Sequence, residues 1–317
     1  MRAAIVFNPN AGTLPAERQA QWAAQALRDC GWEASVRPTP APGQMHALAA
    51  VVAAEGVDAI FAAGGDGTVG AVAEAVAGTH TALGVLPIGT ANLWATELGL
   101  AGRMNSPRAV RACVEAQLNG TVRAIDIGMV TDTGGPDWKF LLWAGLGLDA
   151  HVISKIEPRP EWAKRLGALH YTVAAFFAAL DVRGTPLTIR TEQETVTGTM
   201  LLAVIANIRL YAGLNSVVAP GARADDGTLE VVAVEADSVQ SGLAHLLRFR
   251  MGRHLYHPNV KTLRGREVEI ESERPMPLQC DGEFAGRVIR LRARAGPGQL
   301  QIFAPQRADL KIFERRL

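Results

Sequence analysis

The stretch AAGGDGTVGA, residues 62–71, overlaps the end of an apolar run, Val57–Ala63, and places Gly65, Gly67 and Gly70 at the spacing of a dinucleotide fingerprint. Glycines let backbone N–H groups turn toward an anion, and the start of a following helix adds partial positive charge. Two features argue against a dinucleotide. The glycines follow the third strand-like run rather than the first, and no acidic residue lies at the distance that would hold a ribose. Asp66 is the odd member, because a carboxylate beside phosphates repels them unless a cation lies between. Mg²⁺, bound through one or two carboxylates, waters and phosphate oxygens, fits that arrangement. The plainer alternative is that Asp66 caps a helix and its glycines only make a tight turn.

Two more loops share this composition. Asn8-Pro9-Asn10-Ala11-Gly12 follows the first apolar run, and Pro87-Ile88-Gly89-Thr90-Ala91-Asn92 follows the fourth. Far downstream, Asp281-Gly282-Glu283 offers two carboxylates, or else a polar hairpin turn. None of these loops carries G-x-x-x-x-G-K-S/T, so the chain is not a P-loop enzyme.

The elements that must position the loops follow from the pattern around them. Ala3–Phe7, Ala34–Val36, Val57–Ala63 and Leu83–Leu86 read as short buried strands. Between them, Ala16–Cys30 puts Trp22, Ala26, Leu27 and Cys30 on one helical face, and Gln44–Ala54 does the same with Met45, Leu48, Val51 and Val52. This alternation predicts a Rossmann-like parallel sheet with helices on both faces, whose loops gather at the carboxyl ends of the strands. After a helix over Pro107–Leu118 the texture changes to alternating strands: Lys139–Leu148, Leu187–Arg190, Thr195–Ala206, Leu229–Val234, Glu267–Glu271, Val288–Ala293 and Gln299–Phe303. Helices over about 160–180 and 238–251 interrupt them. The prediction is an α/β domain over 1–125 and a β-rich α+β sandwich over 126–304, with a tail of about 305–317 packing back on the first.

Composition excludes some classes. A net charge of +1 over 317 residues gives no reason to expect nucleic acid. Cys30, Cys113 and Cys280 are odd in number and far apart, which argues against a disulfide framework or zinc site and suits a cytoplasmic protein. His151, His170 and His254 lack ligand spacing. No apolar run approaches the roughly 20 residues of a spanning helix, so any membrane contact is expected at the surface. Trp143, Leu146 and an apolar helix over 166–180 could line a lipid cleft, and a basic amphipathic segment over 245–257 could rest on a bilayer, although ordinary core and an ordinary amphipathic helix explain these patterns at least as well.

In order, these segments resemble the diacylglycerol kinase catalytic family, which includes bacterial lipid kinases and sphingosine kinases. Its N-P-x-x-G is similar to Asn8–Gly12, its G-G-D-G-T to Gly64–Thr68 and its P-x-G-T-x-N to Pro87–Asn92. Gly145–Ala150 resembles its G-x-G-x-D-A. Asn207, Tyr211, Gly213, Pro220–Ala222 and Asp226-Gly227 resemble its second-domain block, and Asp281–Glu283 its D-G-E. The resemblance implies an ATP site at Asn8, Pro9, Asn10, Ala11, Gly12, Thr39, Gly65, Asp66, Gly67, Thr68, Val69, Gly70, Ala71, Thr90 and Asn92. It implies a catalytic base at Glu283 with Asp281 nearby. It also implies Mg²⁺ near Asp66 and Asp126, and a structural Mg²⁺ on the Asp226 carboxylate and the Arg223 and Thr228 carbonyls. The expected activity is transfer of the γ-phosphoryl group of ATP to a diacylglycerol-like or sphingoid hydroxyl, in a cleft between the domains. The lipid would be presented at the inner membrane surface, and a homodimer is left open. Bacterial diacylglycerol-type members usually continue P-x-G-T-x-N with Asp, where this chain has Leu93, an apolar residue of the kind the sphingosine-kinase branch also carries there. That departure keeps a catalytically weak lipid- or nucleotide-binding regulator in view, and the G-G-D-G-T shared with NAD kinases keeps an NAD kinase-like nucleotide kinase as the other alternative.

Overall fold

The N-terminal apolar runs form strands β1 (Arg2–Phe7), β2 (Glu33–Pro38), β3 (Ala59–Gly64) and β4 (Ala82–Pro87). The computed structural model describes residues 1–9, 11–12, 14–89, 92–100, 102–132, 135–156, 182–211, 216–238, 257–306 and 310–313. The four strands pair in parallel in the order β2-β1-β3-β4. Every residue of β3 and β4 is buried, as central strands covered on both faces require. Helices α1 (Ala16–Asp29), α2 (Met45–Ala54), α3 (Asp66–Val76), α4 (Leu93–Glu97) and α5 (Pro107–Leu118) connect them. Ser106 caps α5, accepting a hydrogen bond from Ala109 N, and Pro107 occupies its first turn.

Two helical faces differ from the sequence prediction. On α1 the buried stripe is Ala16, Ala20, Ala23, Ala24, Ala26 and Leu27, while Cys30 is exposed and Trp22 lies half-buried under the Arg18 guanidinium. Alanines make up most of the buried face, and the bulky Trp22 lies at its flank. On α2, Met45, Ala49 and Val52 are buried and Val51 is exposed, a stripe rotated from the predicted one.

The chain divides into two units, one of Met1–Ile127, Arg223–Gly227 and Gly296–Leu317, the other of Gly128–Ala222 and Thr228–Ala295. Residues 223–227 and 296–304, expected in the second domain, thus group with the first. The attachments are long-range and leave no mark on local composition. Asp126, on β5 (Thr121–Asp132), accepts hydrogen bonds from Gly227 N at 2.6 Å and Gly298 N at 3.0 Å. Ala224 N donates to Ile312 O at 2.8 Å, and Ile302 pairs in parallel with Leu83 of β4.

The second unit contains β6 (Trp138–Phe140), β7 (Trp143–Gly147), α6 (Leu148–Ile156), β8 (Thr185–Arg190) and β9 (Thr195–Ala206). A short pair, β10 (Leu210–Tyr211) and β11 (Ser216–Val217), precedes β12 (Leu229–Glu235), β13 (Val260–Gly265), β14 (Glu267–Cys280) and β15 (Glu283–Ala304). The main sheet is antiparallel in the order β13-β12-β9-β7-β14-β15, with β8 and β7 end to end between β9 and β14. Leu146, Ile189, Met200, Val231, Ile270, Leu278 and Leu291 meet in its core. Alternation is clearest where Glu267, Glu269 and Glu271 on β14 face Arg294, Arg292 and Arg290 on β15.

Three strand boundaries depart from expectation. The run Lys139–Leu148 is not one strand, because the Asp281 carboxylate takes the N–H groups of Leu141, Leu142 and Trp143 and bends the chain between β6 and β7. Leu148 instead opens α6, after Gly147 turns the backbone at φ +91°. Conversely, the two runs 288–293 and 299–303 are one strand, since Gly296-Pro297-Gly298 does not end β15. The helix predicted over 160–180, and that over 238–251 apart from Ser238, lie outside the described residues. Among those described, no helix is long and apolar enough to cross a membrane.

Candidate active site

The three glycine loops follow β1, β3 and β4 at the carboxyl ends of neighbouring parallel strands, and they touch backbone to backbone. Gly12, at φ +78°, leaves no room for a Cβ beside the Ile88 carbonyl oxygen, and a Cβ on Gly89 would overlap Gly65. Gly89 N donates to Gly64 O at 3.2 Å, which ties the β4 loop to the β3 loop. Glycine is required at these contacts because any side chain would separate the strands' ends. Gly65, Gly67, Thr68, Val69, Gly70 and Ala71 form the entry to α3, with Thr68 N and Val69 N donating to Gly65 O. Ala11 N donates to Asn8 O across Pro9. Thr39 is buried, and both its N–H and its hydroxyl donate to Phe7 O at 2.9 and 3.0 Å. Asn10 and Thr90 lie outside the described residues.

Asp66 does cap a helix, but not the one it begins. Its carboxylate accepts Leu93 N at 2.9 Å and Trp94 N at 3.0 Å, the first free amides of α4. Burial raises its pKa above the usual carboxylate value, while these backbone bonds pull it down. Asn92 precedes α4 in the left-handed region at φ +55°, a conformation Asn tolerates. Its Nδ2 donates to Gly89 O at 2.8 Å, and its Oδ1 is buried with no hydrogen-bond partner among the described residues. Leu93 is buried, so the side chain in the usual Asp position faces the core.

The same unit holds a second acidic group. Asp126 is buried and its pKa is pushed up to about 6, first by burial and then by the nearby Asp226 and Asp225, against the bonds from Gly227 and Gly298. Arg123 pairs with Asp225 at 3.2 Å and lies 4.3 Å above the Phe313 ring. Arg223 and Asp226 belong to this unit and Thr228 to the other. Among the described residues, no group of three or more His, Cys, Asp or Glu side chains is arranged to hold a metal ion.

In the β-rich unit, Asp281 and Gly282, at φ +48° and +88°, are the central pair of a two-residue hairpin turn that pairs Cys280 with Glu283. Asp281 accepts Leu141 N at 2.7 Å, Leu142 N at 2.8 Å and Trp143 N at 3.1 Å, and its own N–H donates to Trp143 O. Glu283 is exposed at the start of β15. Asn207 is wholly buried and its Nδ2 donates to Leu141 O, holding the same bend from the residue after β9. Trp143 and Leu146, expected to line a lipid cleft, are both buried, with the Trp143 ring 5.1 Å from that of Tyr211.

Residues 2–130 match the family described as diacylglycerol kinase catalytic domain, and residues 144–304 that described as YegS C-terminal NAD kinase beta sandwich-like domain. A diacylglycerol kinase of Mycobacterium tuberculosis is 30% identical over 262 residues, covering 82% of this chain and 81% of that protein. The chain belongs to the diacylglycerol kinase catalytic-domain family. As a member it is an enzyme of the lipid kinase class, with a catalytic domain followed by a β-sandwich-like one. A crystal structure of a diacylglycerol kinase from Bacillus anthracis shares the fold at TM-score 0.69 and 17% identity, over 96% of this chain and 97% of that one. An NAD kinase from Archaeoglobus fulgidus in complex with ATP follows at TM-score 0.52 and 14% identity, over 96% and 94%.

One part of this lipid kinase has no role in the sequence reading. Asp149, half-buried, accepts Tyr211 Oη at 2.7 Å and Gln279 Nε2 at 2.9 Å on one oxygen, and Ala150 N at 2.7 Å on the other. Burial pushes its pKa up to about 6 against those bonds. The signal available for Gln279 is a single amide inside Met276-Pro277-Leu278-Gln279-Cys280, an otherwise apolar run.

Proposed function

We propose that the chain is an ATP- and Mg²⁺-dependent kinase that phosphorylates a lipid hydroxyl, of diacylglycerol-like or sphingoid type. The observation that carries this reading is the packing of the Gly12, Gly65 and Gly89 loops at one edge of a parallel sheet, within a member of this family. Close backbone approach without side chains is what a polyphosphate needs, and the buried Asn92 Oδ1 leaves an acceptor there for a donor group. On this reading the α/β unit is a Rossmann-like nucleotide domain. Asn8–Gly12, Thr39, Gly65–Ala71, Thr90 and Asn92 would contact ATP.

Phosphoryl transfer needs in-line placement, a cation to absorb charge and a base for the acceptor proton. Glu283, exposed on a rigid turn, is the proposed base. Its carboxylate takes the proton of the lipid hydroxyl as that oxygen bonds to the γ-phosphorus and the bond to the β-phosphate oxygen breaks, leaving ADP. Asp281 has a different part. With three backbone N–H groups on its carboxylate, it positions the turn rather than exchanging protons. Asp66 would orient Mg²⁺ through water while it caps α4. Mg²⁺ supplies charge neutralisation at the transferring group. Asp126 is proposed with Asp66 for that Mg²⁺, and Asp226 with the Arg223 and Thr228 carbonyls for a structural one. The lipid would be met at the cytoplasmic membrane surface, and self-association as a homodimer is compatible with all of this.

Labelled ATP with Mg²⁺ and a panel of diacylglycerol, sphingoid base, ceramide and NAD tests the reading. Transfer to a lipid is the expected result. Transfer to NAD alone would overturn it in favour of a nucleotide kinase, and ATP binding without transfer would favour a regulator in which Leu93 has cost the activity.

A further inference from the structure

The turn that carries Glu283 is held from behind. Gln279 is completely buried, and its amide spans two partners: Nε2 donates to Asp149 Oδ2 at 2.9 Å, and Oε1 accepts Gly282 N at 2.8 Å. An ionised Asp149 can only accept, so it fixes which end of the amide faces it and leaves the carbonyl end for Gly282. Tyr211 Oη occupies the same Asp149 oxygen at 2.7 Å and keeps the carboxylate from rotating away. Gly145 of β7 runs so close that a Cβ there would overlap Asp149 Oδ2 and crowd Gln279 Nε2. The hairpin itself does not require this arrangement. Asp281 and Gly282 already supply the two positive φ angles, and the strands pair on either side.

We propose that Asp149 and Gln279 form a positioning relay, which sets the Gly282 amide and thereby the direction in which Glu283 leaves the turn. Neither residue touches the reacting atoms. The inference rests on the reading of Glu283 as base, and it adds two positioning residues separated by 130 positions in the chain.

The test compares the full-length protein with Gln279→Glu, Asp149→Asn and the double variant. Gln279→Glu sets two carboxylates against each other. In the double variant the amide introduced at position 149 donates to the carboxylate introduced at position 279, which still accepts Gly282 N. The readouts are hydrogen exchange at the Gly282 amide and kcat and KM for ATP with dioctanoylglycerol. Gln279→Glu should lower Gly282 protection about tenfold and kcat by about tenfold to a hundredfold, with KM for ATP unchanged. The double variant should recover most of both. Unchanged Gly282 protection in Gln279→Glu overturns the relay. So does a double variant that regains the wild-type melting temperature without regaining kcat. If the single variants do not fold, the wild-type protein decides, because free exchange at Gly282 is incompatible with the link. Glu283→Gln is run in parallel. Normal turnover there refutes the base assignment, while Gly282 protection still decides the relay on its own.

Discussion

In the α/β unit the site is made where backbone meets backbone. Gly12 lies against the Ile88 carbonyl and Gly89 against Gly65, and the carboxylate among these loops, Asp66, is spent on two amides of α4. In the β-rich unit, side chains reach across strands instead. Asp281 gathers three amides of the bend after β6, and Asp149, Tyr211 and Gln279 join three segments behind the Glu283 turn. The first arrangement suits a ligand that presents its own charge and takes whatever amides point at it. The second suits a group whose direction must be fixed before any ligand arrives.

Replacement of the proposed base gives the sharpest test of that division. Glu283→Gln should cut kcat by about 10²- to 10⁴-fold while ATP affinity, measured by calorimetry, stays near wild type. An equal loss of ATP affinity would mean that the β-rich unit also builds the nucleotide site. Next in size is the contrast between two glycines of the β-rich unit. Gly145→Ala drives a methyl into Asp149 Oδ2 and should destabilise by about 3 kcal/mol or more in urea unfolding. Gly282→Ala meets open space and should cost only about 1 kcal/mol, from its φ of +88°.

Each unit also hides one carboxylate whose pKa is pushed up to about 6, Asp126 in the first and Asp149 in the second. Between about pH 4 and pH 6 the folded protein keeps protons that the unfolded chain has released. Unfolding free energy should therefore fall as pH rises through that window, by at most on the order of 3 kcal/mol per group. The extra stability is complete below the unfolded value and gone above the folded one. Urea midpoints collected across the window should lose part of their slope in Asp149→Asn, and a separate part in Asp126→Asn. A stability loss no larger than that of Gly282→Ala, about 1 kcal/mol, is expected for Asp66→Ala, which removes the cap of the short helix α4. A loss several times larger would mean that Asp66 carries more of the loop architecture than two amides account for.

These differences also explain what can be read in advance. The strands β1 to β4, the helix Pro107–Leu118 and the glycine loops are legible because each is specified within a few residues: an apolar run, a cap, a glycine. The same local reading places the break near residue 125 but cannot see that Gly227 and Gly298 bond to Asp126 across 101 and 172 positions. It makes Lys139–Leu148 one strand because the residue that bends it, Asp281, lies some 140 positions away. It offers Asp66 as the cap of its own helix, whereas Asp66 caps one that starts 27 residues later. Polar side chains inside apolar strands, such as Gln279, are the trace that long-range networks leave in a sequence.

The pairing of Ile302 with Leu83 has a consequence for how the chain is made. Strand β4 has β3 on one side, and the partner on its other side is the last stretch of β15, more than 200 positions later. During synthesis the α/β unit must wait with that edge bare until the chain has been made as far as Ile302. A gene cut after Ile127 would release the same bare edge permanently, and its product should be recovered as aggregate rather than as a small ATP-binding protein.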